Sequence, residues 1–278
     1  MDHYSDVIQQ QEDRDRLSDA LRRYGRIGAA DLKRLAAMVE LPPSALLRSI
    51  SDAYVRRLLD SAPSVARGAE ENSGVPPDEP ARFSLFEEFL APEELSQLTD
   101  YVLSHEPQFR TSQVISPNSN EGKTDYHHRR SRVLFAAGPF QDLIDDRLRS
   151  YLNHIFRALQ HPPFSLSSVE VQITASNDGE YFRLHNDNTH QALVTRELTY
   201  VLFFHREPKA FSGGELRLYD SRVEGGRYVA GEGYTSITPQ QNMVVFFPSY
   251  FMHEVTTIYC ASRAFADSRF TINGWLHR

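Results

Sequence analysis

The chain has 278 residues, 40% hydrophobic and 24% charged, with 30 basic and 37 acidic side chains for a formal charge of −7. That balance describes a folded chain with room for one large domain and an appendage, and excludes a disordered or collagen-like polymer. A single cysteine, Cys260, excludes an internal disulfide and a thiolate metal cluster, so any metal falls to the eleven histidines and to carboxylates. No run approaches the ~18 apolar residues of a membrane span, and the opening MDHYSDVIQQQEDRD lacks the basic and apolar parts of a signal peptide, so a cytoplasmic, non-membrane protein is expected.

Residues 1–67 read as a small all-α region, with apolar residues at three-and-four spacing from Leu17 to Leu58 and a break at Pro42–Pro43 that Ser44 caps. Around that break, DLKRLAAMVELPPSALLRSI has the outline of a helix-turn-helix, and between Leu21 and Arg67 nine basic residues face four acidic ones. Such an excess suits DNA, although a helical cap or interaction module with a solvated charged face accounts for it equally. Residues 68–81 carry Gly, Pro, Ser and acids without apolar periodicity, the composition of a linker.

Residues 82–278 form the main domain. FSLFEEFLAPEELSQL reads as a strand and then a helix opened by Pro92, with Glu93 and Glu94 in its positive first turn. Residues 112–132 are polar and turn-rich, and a second helix is expected near 138–160. From Ser165 the texture is β: SVEVQITAS, EYFRLHND, ELTYVLFFH, ELRLYD, TSITP, NMVVFFPS, HEVTTIY and RFTINGWLH, eight short runs that predict a sandwich or jelly roll with the helices covering one sheet.

Alternation within these strands locates the chemistry, because successive side chains face opposite ways. Gln172, Thr174 and Ser176 share one face of VQITAS, and Arg269, Thr271, Asn273 and Trp275 share one face of RFTINGW. A polar face inside a core strand fits a barrel that encloses a polar ligand. His185 and Asp187, two apart, project from one side of an extended segment. His253 ends a strongly apolar strand where packing gives no reason for an imidazole. Two imidazoles and one carboxylate on one face form the triad that suits non-haem Fe(II) and leaves positions open.

In order, VQITASNDGEYFRLHND, ELTYVLFFHREPKAFSGGELRLYD, ITPQQNMVVFFPSYFMHEV and SRFTINGW resemble the Fe(II)/2-oxoglutarate-dependent dioxygenases, in their prolyl-4-hydroxylase-like branch. The resemblance implies an α+β fold, a double-stranded β-helix (jelly roll, cupin-like) with supporting helices. It implies Fe(II) on His185, Asp187 and His253, with 2-oxoglutarate as cosubstrate and O2 as oxidant. It implies a hydroxylase of an unactivated C–H in an amino-acid, peptidyl or small-metabolite substrate, releasing succinate and CO2. A basic residue must then hold the distal carboxylate of 2-oxoglutarate. Arg263 and Arg269 compete, and Arg269 is preferred because it opens the strand RFTINGW, with Asn273 on the same face and residues 261–268 as an inserted loop. Ser176 and Phe203 stand where many relatives carry aromatic hydroxyls, so Gln172 and Thr199 are expected to supply those contacts. Tyr181 is a candidate substrate contact or a rim residue. Residues 112–131 and 186–196 are the expected lid, where Arg129, Arg130 and Arg132 either meet an acidic substrate group or face solvent. Ser212, Gly213 and Gly214 read as a structural turn. A competing expectation is a DNA-binding regulator whose barrel senses 2-oxoglutarate, oxygen or iron.

Overall fold

The computed structural model describes residues 78–115, 122–189 and 193–278. The expected helices of residues 1–67, with their DNA-binding reading, and most of the linker at 68–81 lie outside the described residues, as do parts of both lid segments. Described residues up to Ser84 and from Phe89 to Arg278 form one compact unit. No helix among the described residues is long and apolar enough to cross a membrane.

In chain order the elements are β1 (Ser84–Phe86), α1 (Pro92–Ser104), β2 (Arg110–Thr111), β3 (Val114–Ile115), β4 (Gly122–Lys123), β5 (Arg129–Arg130), β6 (Arg132–Leu134) and α2 (Phe140–Ala158). There follow β7 (Ser168–Val169), β8 (Gln172–Ser176), β9 (Tyr181–His185), β10 (Arg196–Phe204), β11 (Ser212–Gly213), β12 (Leu216–Glu224) and β13 (Arg227–Ile237). The chain ends with β14 (Met243–Pro248), β15 (His253–Val255), β16 (Ile258–Tyr259) and β17 (Arg269–His277). The larger sheet runs β14-β10-β17-β8-β6-β2, with β7 also on β17, and the smaller runs β13-β12-β15-β9-β5. Two sheets whose strands alternate along the chain make the expected double-stranded β-helix.

The helices form where the sequence places them. Pro92 opens α1, and Glu94 reaches back to the Ala91 N–H at 2.7 Å, satisfying one orphan donor of the first turn. Arg147 of α2 grips the same carboxylate through two bonds of 2.7 and 2.8 Å and also donates to the Phe89 carbonyl. Phe89 stands edge-on to Tyr151 of α2 and to Phe246 of β14, joining helix to sheet. The outward residues of the larger sheet, Leu198, Tyr200, Leu202, Phe246, Phe270 and Ile272, are fully buried. Each such side chain contributes about 1.5–3 kcal/mol when removed from water.

One element outgrows its expectation. ELRLYD and TSITP read as two short strands, whereas β12 and β13 pair from Leu216↔Ile237 out to Glu224↔Arg227. Gly225 and Gly226, at φ of 55° and 76°, form the two-residue turn that a right-twisted hairpin favours. The outer part of this ribbon is half-buried to exposed and carries apolar residues on both faces, Val223 opposite Tyr228 and Val229 opposite Arg222, so no clean hydrophobic alternation reveals it.

Candidate metal and cosubstrate site

A cleft of about 620 Å³, measured to its open mouth, lies between the two sheets. Gln172, Thr174 and Ser176 of β8, Thr199 and Val201 of β10, and Arg269, Thr271, Asn273 and Trp275 of β17 line it from the larger sheet. Arg129, Tyr181, Phe182, His185, His253 and Val255 line it from the smaller. The register of β17 on β8, Arg269↔Ser176, Thr271↔Thr174 and Asn273↔Gln172, puts the polar faces of both strands on the same side. Alternation and pairing together therefore create a polar lining inside an apolar barrel.

His185, Asp187 and His253 meet in this cleft, each offering a ligand atom within 4.8 Å of the others. Backbone pairing sets the histidines directly opposite, His253↔His185, with ring centroids 4.1 Å apart. Asp187 lies just beyond β9, where its N–H donates to the Ser249 carbonyl at 2.9 Å and so ties the loop to the end of β14. His185 Nδ1 faces the Arg183 carbonyl at 2.7 Å, and His253 Nδ1 faces the Phe251 carbonyl at 2.9 Å. A carbonyl only accepts, so both rings carry the proton on Nδ1 and present the Nε2 lone pair inward. Those Nε2 atoms stand 3.7 and 3.4 Å from the two Asp187 oxygens.

The electrostatics match. Burial, reinforced by the neighbouring His253, pushes the His185 imidazolium well below the usual histidine range. Burial alone would raise Asp187, but His253 and His185 outweigh it and hold the carboxyl below its usual range. Two neutral imidazoles and one carboxylate are the donor set that hard-to-borderline divalent iron takes, and the residues present fit that ion.

Arg269 is 3% exposed, and its Nε has no acceptor among the described residues. Burial brings it down to about 10, against the pull of Glu215, and its guanidinium lies 5.0 Å from the Phe203 ring centroid. A buried, unsatisfied cation aimed into a polar cleft fits the distal carboxylate of a dicarboxylate ligand. Arg263 lies elsewhere: its side chain is 78% exposed and pairs with Asp178 at 2.9 Å.

The remaining expected residues divide. Gln172 and Asn273 line the cleft, and Asn273 Oδ1 accepts from Thr174 at 2.8 Å. Thr199 also lines it, but its hydroxyl donates to Asp187 Oδ2 at 2.7 Å, which makes it a holder of the carboxylate. Tyr181 lies at the rim and donates to the Tyr126 carbonyl at 2.8 Å. The three arginines separate by alternation: Arg129 faces the cleft, Arg130 is exposed, and Arg132 lies over Phe265 and 3.8 Å from Glu106. Gly214 is more than a turn residue, since it abuts the Arg269 side chain. Sequence reasoning missed Ser249, whose carbonyl and hydroxyl both serve Asp187 and Thr199. It lies in a strand-to-loop corner where no periodicity singles it out.

A double-stranded β-helix with a His-Asp-His cluster beside a buried arginine defines the class of 2-oxoglutarate-Fe(II) oxygenases. Residues 171–277 match the family model of the 2OG-Fe(II) oxygenase superfamily. A PKHD-type hydroxylase of Synechocystis sp. is 37% identical over 201 residues, covering 72% of this chain and 64% of that one. A PKHD-type hydroxylase of Shewanella baltica is 29% identical over 119 residues, covering 40% of this chain and 48% of that one. The chain thus spans less than two thirds of either relative. A prolyl hydroxylase from Trichoplax adhaerens, solved with a peptide fragment of the hypoxia-inducible-factor oxygen degradation domain, shares the fold at a TM-score of 0.52 and 16% identity, over 84% of this chain and 91% of that one.

Proposed function

We propose that residues 82–278 are the catalytic domain of an Fe(II)- and 2-oxoglutarate-dependent dioxygenase that hydroxylates an unactivated C–H in an amino-acid, peptidyl or small-metabolite substrate. The observation that carries this reading is the meeting of His185, Asp187 and His253 with the unpaired, buried Arg269 in one cleft. Fe(II) with 2-oxoglutarate supplies the O2 activation that a protein side chain cannot, with succinate and CO2 released.

The chain's own residues do the rest. His185, Asp187 and His253 would hold the metal through Nε2, a carboxylate oxygen and Nε2, and the Arg183 and Phe251 carbonyls fix both ring orientations. Thr199 fixes the Asp187 carboxylate. Arg269 binds the distal carboxylate of 2-oxoglutarate, with Asn273 and Gln172 on the same wall, and Phe203 backs its guanidinium. All three ligand residues come from the β9 end and β15, and the part of the cleft lined by β8 and β17 would take cosubstrate and substrate.

Succinate release from 2-oxoglutarate, read against amino acids, peptides and cell extract under Fe(II) and O2, tests the function. Substrate-dependent succinate that disappears in Asp187→Ala is the expected result. Succinate production that persists unchanged in Asp187→Ala overturns the assignment.

A further inference from the structure

We infer that Arg129 is the recognition residue for an acidic group on the substrate, so that this enzyme oxidises a carboxylate-bearing molecule such as an acidic amino acid, free or within a peptide. The inference rests on the reading above and adds the substrate's charge to it.

Two guanidiniums line the cleft, one from each sheet. Arg269, from β17, is almost fully buried, whereas Arg129, from the edge strand β5, is only partly so. Pairing Arg129↔Phe182 lays its guanidinium 4.5 Å over the Phe182 ring, which in turn stacks on His185 at 3.6 Å. One aromatic ring therefore separates this cation from a metal ligand. Arg129 Nε donates to Ser131 Oγ at 2.9 Å, which orients the fork. Among the described residues its two terminal nitrogens have no acceptor, and the acid that pulls on it, Asp187, accepts from Thr199 and belongs to the metal-ligand cluster.

An unpaired guanidinium fork in the wall of a cleft, beside the metal-ligand cluster, is a ready partner for an anion. A substrate carboxylate gives it a planar, two-bonded partner. Arg130 and Arg132 do not compete for it, since one points outward and the other is engaged by Phe265 and Glu106.

The test uses the full chain loaded with Mn(II) and 2-oxoglutarate, titrated calorimetrically with matched pairs: aspartate and asparagine, glutamate and glutamine, each as the free amino acid and as the N-acetylated, C-amidated residue. At least one acidic member is expected to bind about tenfold or more tighter than its amide. Arg129→Gln should erase that preference while 2-oxoglutarate affinity and metal loading stay unchanged, and Arg129→Lys should restore part of it. Preference in the free pair alone identifies a free amino acid; preference in the capped pair identifies a peptidyl side chain. A panel in which no acidic member is preferred, or in which Arg129→Gln leaves the preference intact, overturns the inference. A loss of 2-oxoglutarate binding in Arg129→Gln also overturns it, by assigning Arg129 to the cosubstrate. Wild-type protein that takes up neither Mn(II) nor 2-oxoglutarate instead removes the functional reading beneath it.

Discussion

A Cβ on Gly214 would stand 2.7 Å from Arg269 Cδ and 3.1 Å from its Nε, so the missing side chain of one residue makes the berth of the other. Gly214 also sits at φ +69°, where an L side chain costs about 1 kcal/mol. Gly214→Ala is therefore expected to displace the guanidinium and weaken 2-oxoglutarate binding by about tenfold or more, with metal affinity unchanged. Cosubstrate titration of the Mn(II)-loaded variant checks this. Unaltered 2-oxoglutarate affinity would show that Arg269 does not depend on this contact.

Thr199 separates what its position in the strand suggested from what its hydroxyl does. It lines the cleft as expected of a cosubstrate contact, yet it donates to Asp187. Thr199→Val keeps the shape and removes the donor, and it should lower metal affinity by about 10- to 100-fold, while Thr199→Ser should retain it. A variant whose metal affinity is normal and whose 2-oxoglutarate affinity at saturating metal is reduced would return Thr199 to the cosubstrate.

The two arginines test the register of β17. Arg269→Ala leaves a desolvated carboxylate without its partner, a loss of roughly 2–5 kcal/mol in 2-oxoglutarate binding, or about thirty-fold to several-thousand-fold. Arg263→Ala removes an exposed charge and should change that affinity little. The reverse pattern would contradict the assignment of Arg269 and, with it, the inward face shared by Thr271 and Asn273.

Asn242 holds the main domain together at a distance from the chemistry. It adopts φ +59°, accepts from the Leu90 N–H at 2.9 Å and donates to the Leu90 carbonyl at 2.7 Å, all within the buried interior. Asn242→Ala is expected to cost about 2–4 kcal/mol of stability and several degrees of melting temperature, with 2-oxoglutarate affinity of the folded protein preserved. A melting temperature equal to that of the wild type would show that these bonds are dispensable.

The site was legible in the sequence wherever strand alternation carried it. Gln172, Thr174 and Ser176 against Val171, Ile173 and Ala175, and Arg269 to Trp275 against Phe270 and Ile272, fall on the predicted faces because a pleated strand allows only two. What alternation cannot give is partnership across the fold. The Thr199 bond to Asp187, the Gly214 contact with Arg269 and the opposition of His185 and His253 all depend on which strands become neighbours. Arg129 illustrates both limits: the run HHRRSR marks it only as one of several basic residues, and its pairing with Phe182 of β9 is what turns it inward. The long β12–β13 ribbon escaped for a different reason, since its outer half has Val223 and Tyr228 on one face and Val229 on the other, without a buried face, and is held by backbone pairing and its turn glycines.

The most direct measurement is anaerobic titration of 2-oxoglutarate into the Fe(II)-loaded protein, followed by visible absorption and by calorimetry. The account predicts a weak, saturable charge-transfer band that requires both Fe(II) and 2-oxoglutarate, disappears in Asp187→Ala, and needs far more 2-oxoglutarate in Arg269→Ala. Protein that binds Fe(II) stoichiometrically yet shows no band and no heat of 2-oxoglutarate binding would contradict it.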